Sequence, residues 1–312
     1  MSRYVYLGPE GTFAEQALAT VPEAGEGTRT PVRSVPEAFD AVREGAADAA
    51  LVPVENSVGG QVGVTLDELT EGTPLVIVRE VVLPVNFVLV ARSDLDVKTL
   101  PVIAAHPQAS AQCRGWLIAN APDAAVVDVL SNGAAAEAVA SGEFPAAICA
   151  PVGAQRHALT VLASSIGDHA DAMTRFAVVR RPGPVPAPTG DDVTSLAVYI
   201  AHDRVGALLA VLTELAVRGI NLTRIESRPT GERLGRYVFF LDCTGHVADV
   251  RLGEALRGLR RICADVRFLG SYARSGPDGE PSSPSQGPPG TSDAAFADAD
   301  AWLARIRGGE PF

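Results

Sequence analysis

The chain has 312 residues and carries 37 Asp+Glu against 26 Lys+Arg, a formal net charge of −11. At roughly 100–200 residues per domain the length predicts two domains, and a 47% hydrophobic content supplies apolar cores and excludes a globally disordered chain. The acidic balance repels polyanions, and aromatics at 5% are too few for base-stacking platforms, so nucleic acid and anionic membrane are excluded as partners.

Over residues 1–181 short β-branched runs alternate with Ala-rich helical segments. Strands are predicted at 4–7, 48–52, 75–83, 86–91, 102–104, 125–129, 146–149, 161–163 and 176–179, and helices at 13–19, 36–43, 109–120 and 133–141. Strands alternating with helices imply a parallel, doubly wound α/β sheet. Nine strands are many for one small sheet, so two lobes with a cleft between them are expected. In such sheets a ligand sits beyond the carboxyl ends of the strands.

Residues 182–193 read as a stiff, Pro-rich linker. The block 194–274 has another rhythm. A strand at 195–201 leads to a helix at 206–218, with Leu208, Leu209, Leu212, Leu215 and Ala216 at helical spacing and Gly219 as its stop. Strands at 221–227 and 235–243 meet across a turn at 229–231, and a helix at 247–261 precedes a final strand at 265–272. This βαββαβ order is the ferredoxin-like unit, more often regulatory than catalytic. Residues 275–312 form a Pro/Gly/Ser-rich tail with a short amphipathic helix at 293–306.

Four turns of the first block concentrate polar chemistry. Gly8-Pro9-Glu10-Gly11-Thr12-Phe13 offers free N–H groups at a helix start, or is an ordinary tight turn capped by Thr12. Pro53-Val54-Glu55-Asn56-Ser57 offers a carboxylate, an amide and a hydroxyl, or caps the following segment. His106-Pro107-Gln108 puts a His at a cap, with Gln112 one turn into the helix. Thr174-Arg175-Phe176 brings a hydroxyl and a guanidinium fork suited to a carboxylate, or is a strand start with a surface Arg.

Other chemistries lack their motifs. No G-x-G-x-x-G follows the first strand, and neither a phosphate-binding loop with Lys nor a G-x-S-x-G elbow occurs. The 4 cysteines (Cys113, Cys149, Cys243, Cys263) form no C-x-x-C pair and have no His at zinc spacing, so they read as buried apolar residues. The residues by themselves describe a two-lobed domain that binds a small anion without cofactor or metal. The first residues lack the apolar run of a signal peptide, and no stretch reaches the ~18 apolar residues of a membrane span. A cytoplasmic protein is expected.

Taken in order, Tyr6-Leu-Gly-Pro-Glu-Gly-Thr-Phe13, Pro53-Val-Glu-Asn-Ser57, His106-Pro-Gln-Ala109 with Gln112-Cys113, and Thr174-Arg-Phe176 resemble the motifs of prephenate dehydratases. Gly206-Ala-Leu-Leu209 and Glu226-Ser-Arg-Pro229 resemble the two motifs of a phenylalanine-binding ACT domain. The resemblance implies a two-lobed fold like type II periplasmic binding proteins, followed by an ACT domain. It implies conversion of prephenate to phenylpyruvate, carbon dioxide and water, and regulation by L-phenylalanine in a homodimer or homotetramer. No chorismate mutase segment precedes Tyr4, so a monofunctional enzyme is expected.

The same resemblance makes Thr174 the proton donor at the departing oxygen. Arg175 and the N–H groups near Gly11 and Thr12 would hold the retained carboxylate. Asn56, Ser57 and Gln112 would orient ring and hydroxyl, with Phe176 and His106 against the substrate. Glu55 would orient these groups rather than give a proton, since another anion beside a dianion costs affinity. L-Phenylalanine would sit at an ACT interface against Gly206, Ala207, Leu208, Leu209, Asn221, Glu226, Ser227, Arg228 and Pro229. Ala104-Ala105 before His106 depart from the family pattern, where many relatives carry Ser or Thr. An arogenate dehydratase and a non-catalytic amino-acid sensor are the alternatives; Thr174 argues against a non-aromatising decarboxylase.

Overall fold

The computed structural model describes residues 1–200, 205–230, 237–276 and 289–309. It divides into two units, Met1–Leu75 with Glu80–Arg181, and Val76–Arg79 with Pro182–Phe312.

The first unit begins β1 (Arg3–Leu7), α1 (Phe13–Ala19), α2 (Pro22–Gly25), β2 (Thr28–Val32), α3 (Val35–Arg43), β3 (Ala49–Asn56), β4 (Gly60–Gln61), α4 (Gly63–Thr70) and β5 (Val76–Pro84). It continues with β6 (Val88–Ala91), β7 (Val102–Ala105), α5 (Pro107–Gln112), α6 (Arg114–Asn120), β8 (Ala125–Asp128), α7 (Asn132–Ser141), β9 (Ala146–Cys149), α8 (Pro151–Arg156), β10 (Thr160–Ser164) and β11 (Met173–Arg180). Helix α3 shows why such segments form. Ser34 accepts from the Glu37 N–H at its start, and Val35, Ala38, Phe39 and Val42 make one buried stripe.

Two sheets result, one of order β2-β1-β3-β11-β5 with β4 on β3, the other of order β10-β6-β9-β7-β8. The second is covered on both faces, as double winding requires. Leu89, Ile103 and Ile148 pack toward Leu117 of α6, while Val90, Ala104 and Ala147 pack toward Ala135, Ala136 and Val139 of α7. Ala104 and Ala105 are fully buried core residues on opposite faces of β7.

The expectation of parallel sheets needs correction, because both are mixed. β1 pairs in parallel with β2 and β3, but β11 runs antiparallel to β3. β7 is parallel to β8 and β9, whereas β6 is antiparallel to β9 and β10. A parallel neighbour needs a crossover on its own sheet, and β11 instead returns from the second lobe.

Three other differences are local. Strand β2 contains Pro31, which an edge strand tolerates and a pattern search rejects. Helices α2, α4 and α8 have only 4, 8 and 6 residues, too short for periodicity to register. The predicted helix 109–120 breaks at Cys113, and Asp168 accepts the Gly115 and Trp116 N–H groups at 2.8 and 3.1 Å, capping the new start.

The second unit holds β12 (Asp192–Tyr199), α9 (Ala207–Ala216), β13 (Leu222–Pro229), β14 (Tyr237–Thr244), α10 (Val250–Ile262), β15 (Asp265–Ala273) and α11 (Asp293–Arg307). Its sheet has the order β13-β14-β12-β15, antiparallel throughout. Leu196, Val198 and Leu241 pack on Val211 and Leu215 of α9 and on Leu252, Ala255 and Leu259 of α10. The expected βαββαβ unit is present, although the predicted strand end at Ala201, the Gly231 turn and the Gly235 strand start lie outside the described residues, as does 277–288 of the tail. Helix α11 docks on α10, where Asp293 accepts the Arg251 N–H at 3.2 Å.

All four cysteines are free; three are buried and Cys263 is half-buried. Burial pushes the Cys113, Cys149 and Cys243 thiols up to about 12, so none is a nucleophile at neutral pH. Among the described residues no helix is long and apolar enough to cross a membrane, and no cluster of His, Cys, Asp and Glu could hold a metal ion.

Candidate active site

A crevice of about 410 Å3 separates the two sheets of the first unit. Six of the ten residues expected at the site line it: Thr12, Asn56, His106, Gln112, Thr174 and Phe176. They come from the turn after β1, the end of β3, the two ends of α5 and the start of β11, so both lobes contribute.

Antiparallel register sets Thr174 of β11 opposite Asn56 of β3. The Asn56 Oδ1 accepts from the Val58 and Gly59 N–H groups at 3.0 and 2.6 Å, which fixes the amide. Its Nδ2 then points at Thr174 and donates to Oγ1 at 2.8 Å. Because Thr174 Oγ1 accepts this bond, its own proton is left to point elsewhere, and the side chain lines the crevice. A hydroxyl that accepts from a polarised amide is a better donor, since bonds in a chain reinforce one another.

The other four expected residues do not line the crevice. Arg175 follows strand alternation onto the opposite face from Thr174. It pairs with Glu80 at 3.1 Å and lies 3.8 Å from Glu55, so Arg175 and Glu55 belong to one ionic row across three strands. Ser57 ties the loop to β11: its Oγ accepts the Met173 N–H at 2.9 Å, and its N–H donates to the Met173 carbonyl at 2.9 Å. The Gly11 N–H, expected to face an anion, donates to Glu15 Oε2 at 2.5 Å.

Gly11 has another task. Its φ is +81°, a left-handed conformation that suits glycine. Its loop lies so close to the second lobe that a Cβ at Gly133 would fall 2.2 Å from the Glu10 carbonyl oxygen. Arg156 of α8 pairs with Glu10 and, at 2.9 Å, with Glu15. Backbone contact and ion pairs together join the lobes along one edge of the crevice.

His106 caps α5, its Nδ1 accepting the Gln108 N–H at 3.2 Å. Burial lowers its pKa, partly opposed by Asp128, so the neutral ring prevails and the remaining proton sits on Nε2. Arg33, Gln61 and Asn132, which the motifs did not single out, also line the crevice. Gln61 Oε1 and Asn132 Oδ1 are buried without a hydrogen-bond partner among the described residues, which a polar ligand would satisfy. Ser131 caps α7 directly before Asn132, and that N-cap signature is the sequence signal for this segment. Arg33 follows a strand the pattern did not reveal.

In the second unit the candidate effector residues fall at two ends. Tyr199 is level with Val238, and Val238 with Arg228, so Glu226, Ser227, Arg228 and Pro229 share the end of the sheet from which Gly206, Ala207, Leu208 and Leu209 start α9. Gly206 caps the helix at φ +82°. Asn221 lies at the other end, five residues before Glu226 along β13, about 16 Å away at 3.3 Å per residue.

The family model described as prephenate dehydratase matches residues 4–184, and that of the ACT domain matches residues 194–261. The chain is 50% identical to a prephenate dehydratase of Amycolatopsis methanolica over 99% of both chains. A crystal structure of a prephenate dehydratase from Arthrobacter aurescens in complex with L-Phe is 47% identical, with a TM-score of 0.89 over 98% of this chain and 99% of that one. GqqA, described as a novel type of quorum-quenching acylase, is 28% identical with a TM-score of 0.78, covering 87% of this chain and 98% of that one.

Proposed function

The chain belongs to the prephenate dehydratase family, and on that premise we propose that it converts prephenate to phenylpyruvate with Thr174 as proton donor. The observation that carries this is the hydrogen-bond relay ending at Thr174. Val58 and Gly59 fix Asn56, Asn56 donates to Thr174, and the Thr174 hydroxyl is left to donate into the crevice.

In the reaction the bond between the ring and its carboxylate breaks, and the electron pair enters the ring. Double bonds shift to make it aromatic, and the opposite carbon–oxygen bond breaks. The leaving oxygen takes a proton from Thr174 and departs as water, while Thr174 is reprotonated from solvent. A threonine hydroxyl is too weak an acid to protonate the oxygen beforehand, so transfer is concerted with departure. The crevice supports this balance by its lining, which among the described residues has no Asp or Glu and includes Phe13, Phe87 and Phe176. Phe13 and Phe87 meet edge to face at 5.4 Å. Gln112 and His106 line the crevice, and as donors they would orient the dianion.

L-Phenylalanine regulates through the ACT domain. Gly206–Leu209 and Glu226–Pro229 are too far from Asn221 to surround one amino acid within a single chain. Two copies related by a two-fold axis would bring the opposite ends together, which supports a homo-oligomer with effector sites at its ACT interface.

The test is incubation of purified protein with prephenate and no added cofactor, read by the enolate absorbance of phenylpyruvate in alkali. Turnover of prephenate faster than of arogenate is expected. Absence of prephenate turnover, or turnover of arogenate alone, overturns the assignment.

A further inference from the structure

We propose that Arg33, with Asn132 across the Gly8–Pro9 turn from it, receives the substrate carboxylate that survives the reaction, a role the sequence motifs assign to Arg175. The inference rests on the functional reading above and names the charged end of the same crevice. Among the described residues lining it, Arg33 is the single arginine or lysine, and there is no Asp or Glu. Its backbone N–H donates to Glu37 Oε2 at 2.8 Å, while its guanidinium has no partner among the described residues. Arg175, by contrast, is neutralised by Glu80 and Glu55 on the far side of β11.

Position supports the assignment. Arg33 directly follows β2, and Thr174 opens β11, with β1 and β3 between those strands. Three strand spacings amount to about 14 Å, which an extended arginine and a ring bearing a three-carbon acid side chain span together. Asn132 borders the same end: the Gly8 N–H donates to the Val32 carbonyl at 2.8 Å, and a Cβ on Gly133 would lie 3.1 Å from Pro9 Cγ. Arg33 and Asn132 therefore flank one turn, and the Asn132 amide, whose Oδ1 lacks a partner, can turn its NH2 toward a carboxylate.

The chemistry selects which carboxylate goes there. The carboxylate lost as carbon dioxide gives up its negative charge in the transition state, so a cation on it would stabilise the ground state and slow the reaction. The one that stays is charged throughout, and a cation there binds substrate, transition state and product alike. Such uniform binding appears in KM rather than kcat.

Arg33→Gln is therefore expected to raise the KM for prephenate by about tenfold or more with kcat changed less than about twofold. Arg33→Lys should fall between. Because Arg33 is exposed at the crevice mouth, the wild-type KM should rise with salt and that of Arg33→Gln should rise less. Calorimetric titration with phenylpyruvate, which keeps this carboxylate, should weaken in parallel. An active wild type with an unchanged KM in Arg33→Gln overturns the role of Arg33 alone, whereas an inactive wild type overturns the functional reading itself. A KM effect in Arg175→Gln with none in Arg33→Gln would return the carboxylate to Arg175.

Discussion

The crevice and the ACT domain solve opposite assembly problems. In the crevice, one chain brings together residues 118 apart in sequence, Asn56 and Thr174, to 2.8 Å. In the ACT domain, Asn221, directly before β13, and Glu226, in the middle of that strand, are only five residues apart in sequence yet are held about 16 Å apart. A catalytic relay needs fixed geometry at all times, and a rigid sheet within one chain supplies it. On the proposed reading, each chain carries half of the effector site, so that binding would stabilise one arrangement of the copies over another.

Complementation between variants breaks or sharpens that contrast. The largest effect is expected for Thr174→Val, which keeps the shape of the side chain and removes the donor. Its kcat should fall by about 10²–10⁴ with KM little changed, and co-assembly with Asn56→Ala should restore nothing, because the crevice is complete within each chain. Recovery in the mixture would show that the crevice is shared.

The effector site should behave the other way. Gly206→Asp and Asn221→Ala proteins should each lose the calorimetric heat of L-phenylalanine binding. Co-refolded together, they should recover about half the wild-type sites in mixed dimers, where one of the two symmetry-related sites receives both intact ends. No recovery would mean that the effector contacts a single chain.

The smallest effect concerns the cap at His106. Burial holds its folded pKa below the ordinary value near 6.5, so the unfolded chain binds the proton first. Stability from this group is complete above about pH 6.5 and declines as pH falls toward the folded value, where protonated Nδ1 no longer accepts from Gln108. His106→Asn keeps an acceptor at the cap. Thermal melts at pH 8 and 5.5 should show a smaller acid loss in the variant, by about 1 kcal/mol or less; an identical loss would remove His106 as its source.

Much of this arrangement was legible along the chain. The strand–turn motifs mark where the polar residues cluster, and the βαββαβ rhythm announces the second unit. Arg175 and Glu55, expected at the site, lie outside the crevice lining for a reason readable in the sequence. Alternation along a strand sends neighbours to opposite faces, so a crevice-lining Thr174 implies an Arg175 that turns away. Ser57 and Gly11 were a different case, since their polar groups are spent on Met173 and Glu15, partners that spacing does not reveal.

Local chemistry thus determined the elements, their caps and the polar character of each turn, since propensity and periodicity act over a few residues. Only tertiary structure decided which way β11 runs, that Asp168 starts a helix 53 residues upstream in the chain, and that Arg33 rather than Arg175 faces the crevice. Those outcomes depend on strand order and on which backbone groups meet across the fold, and no short window of sequence contains both partners.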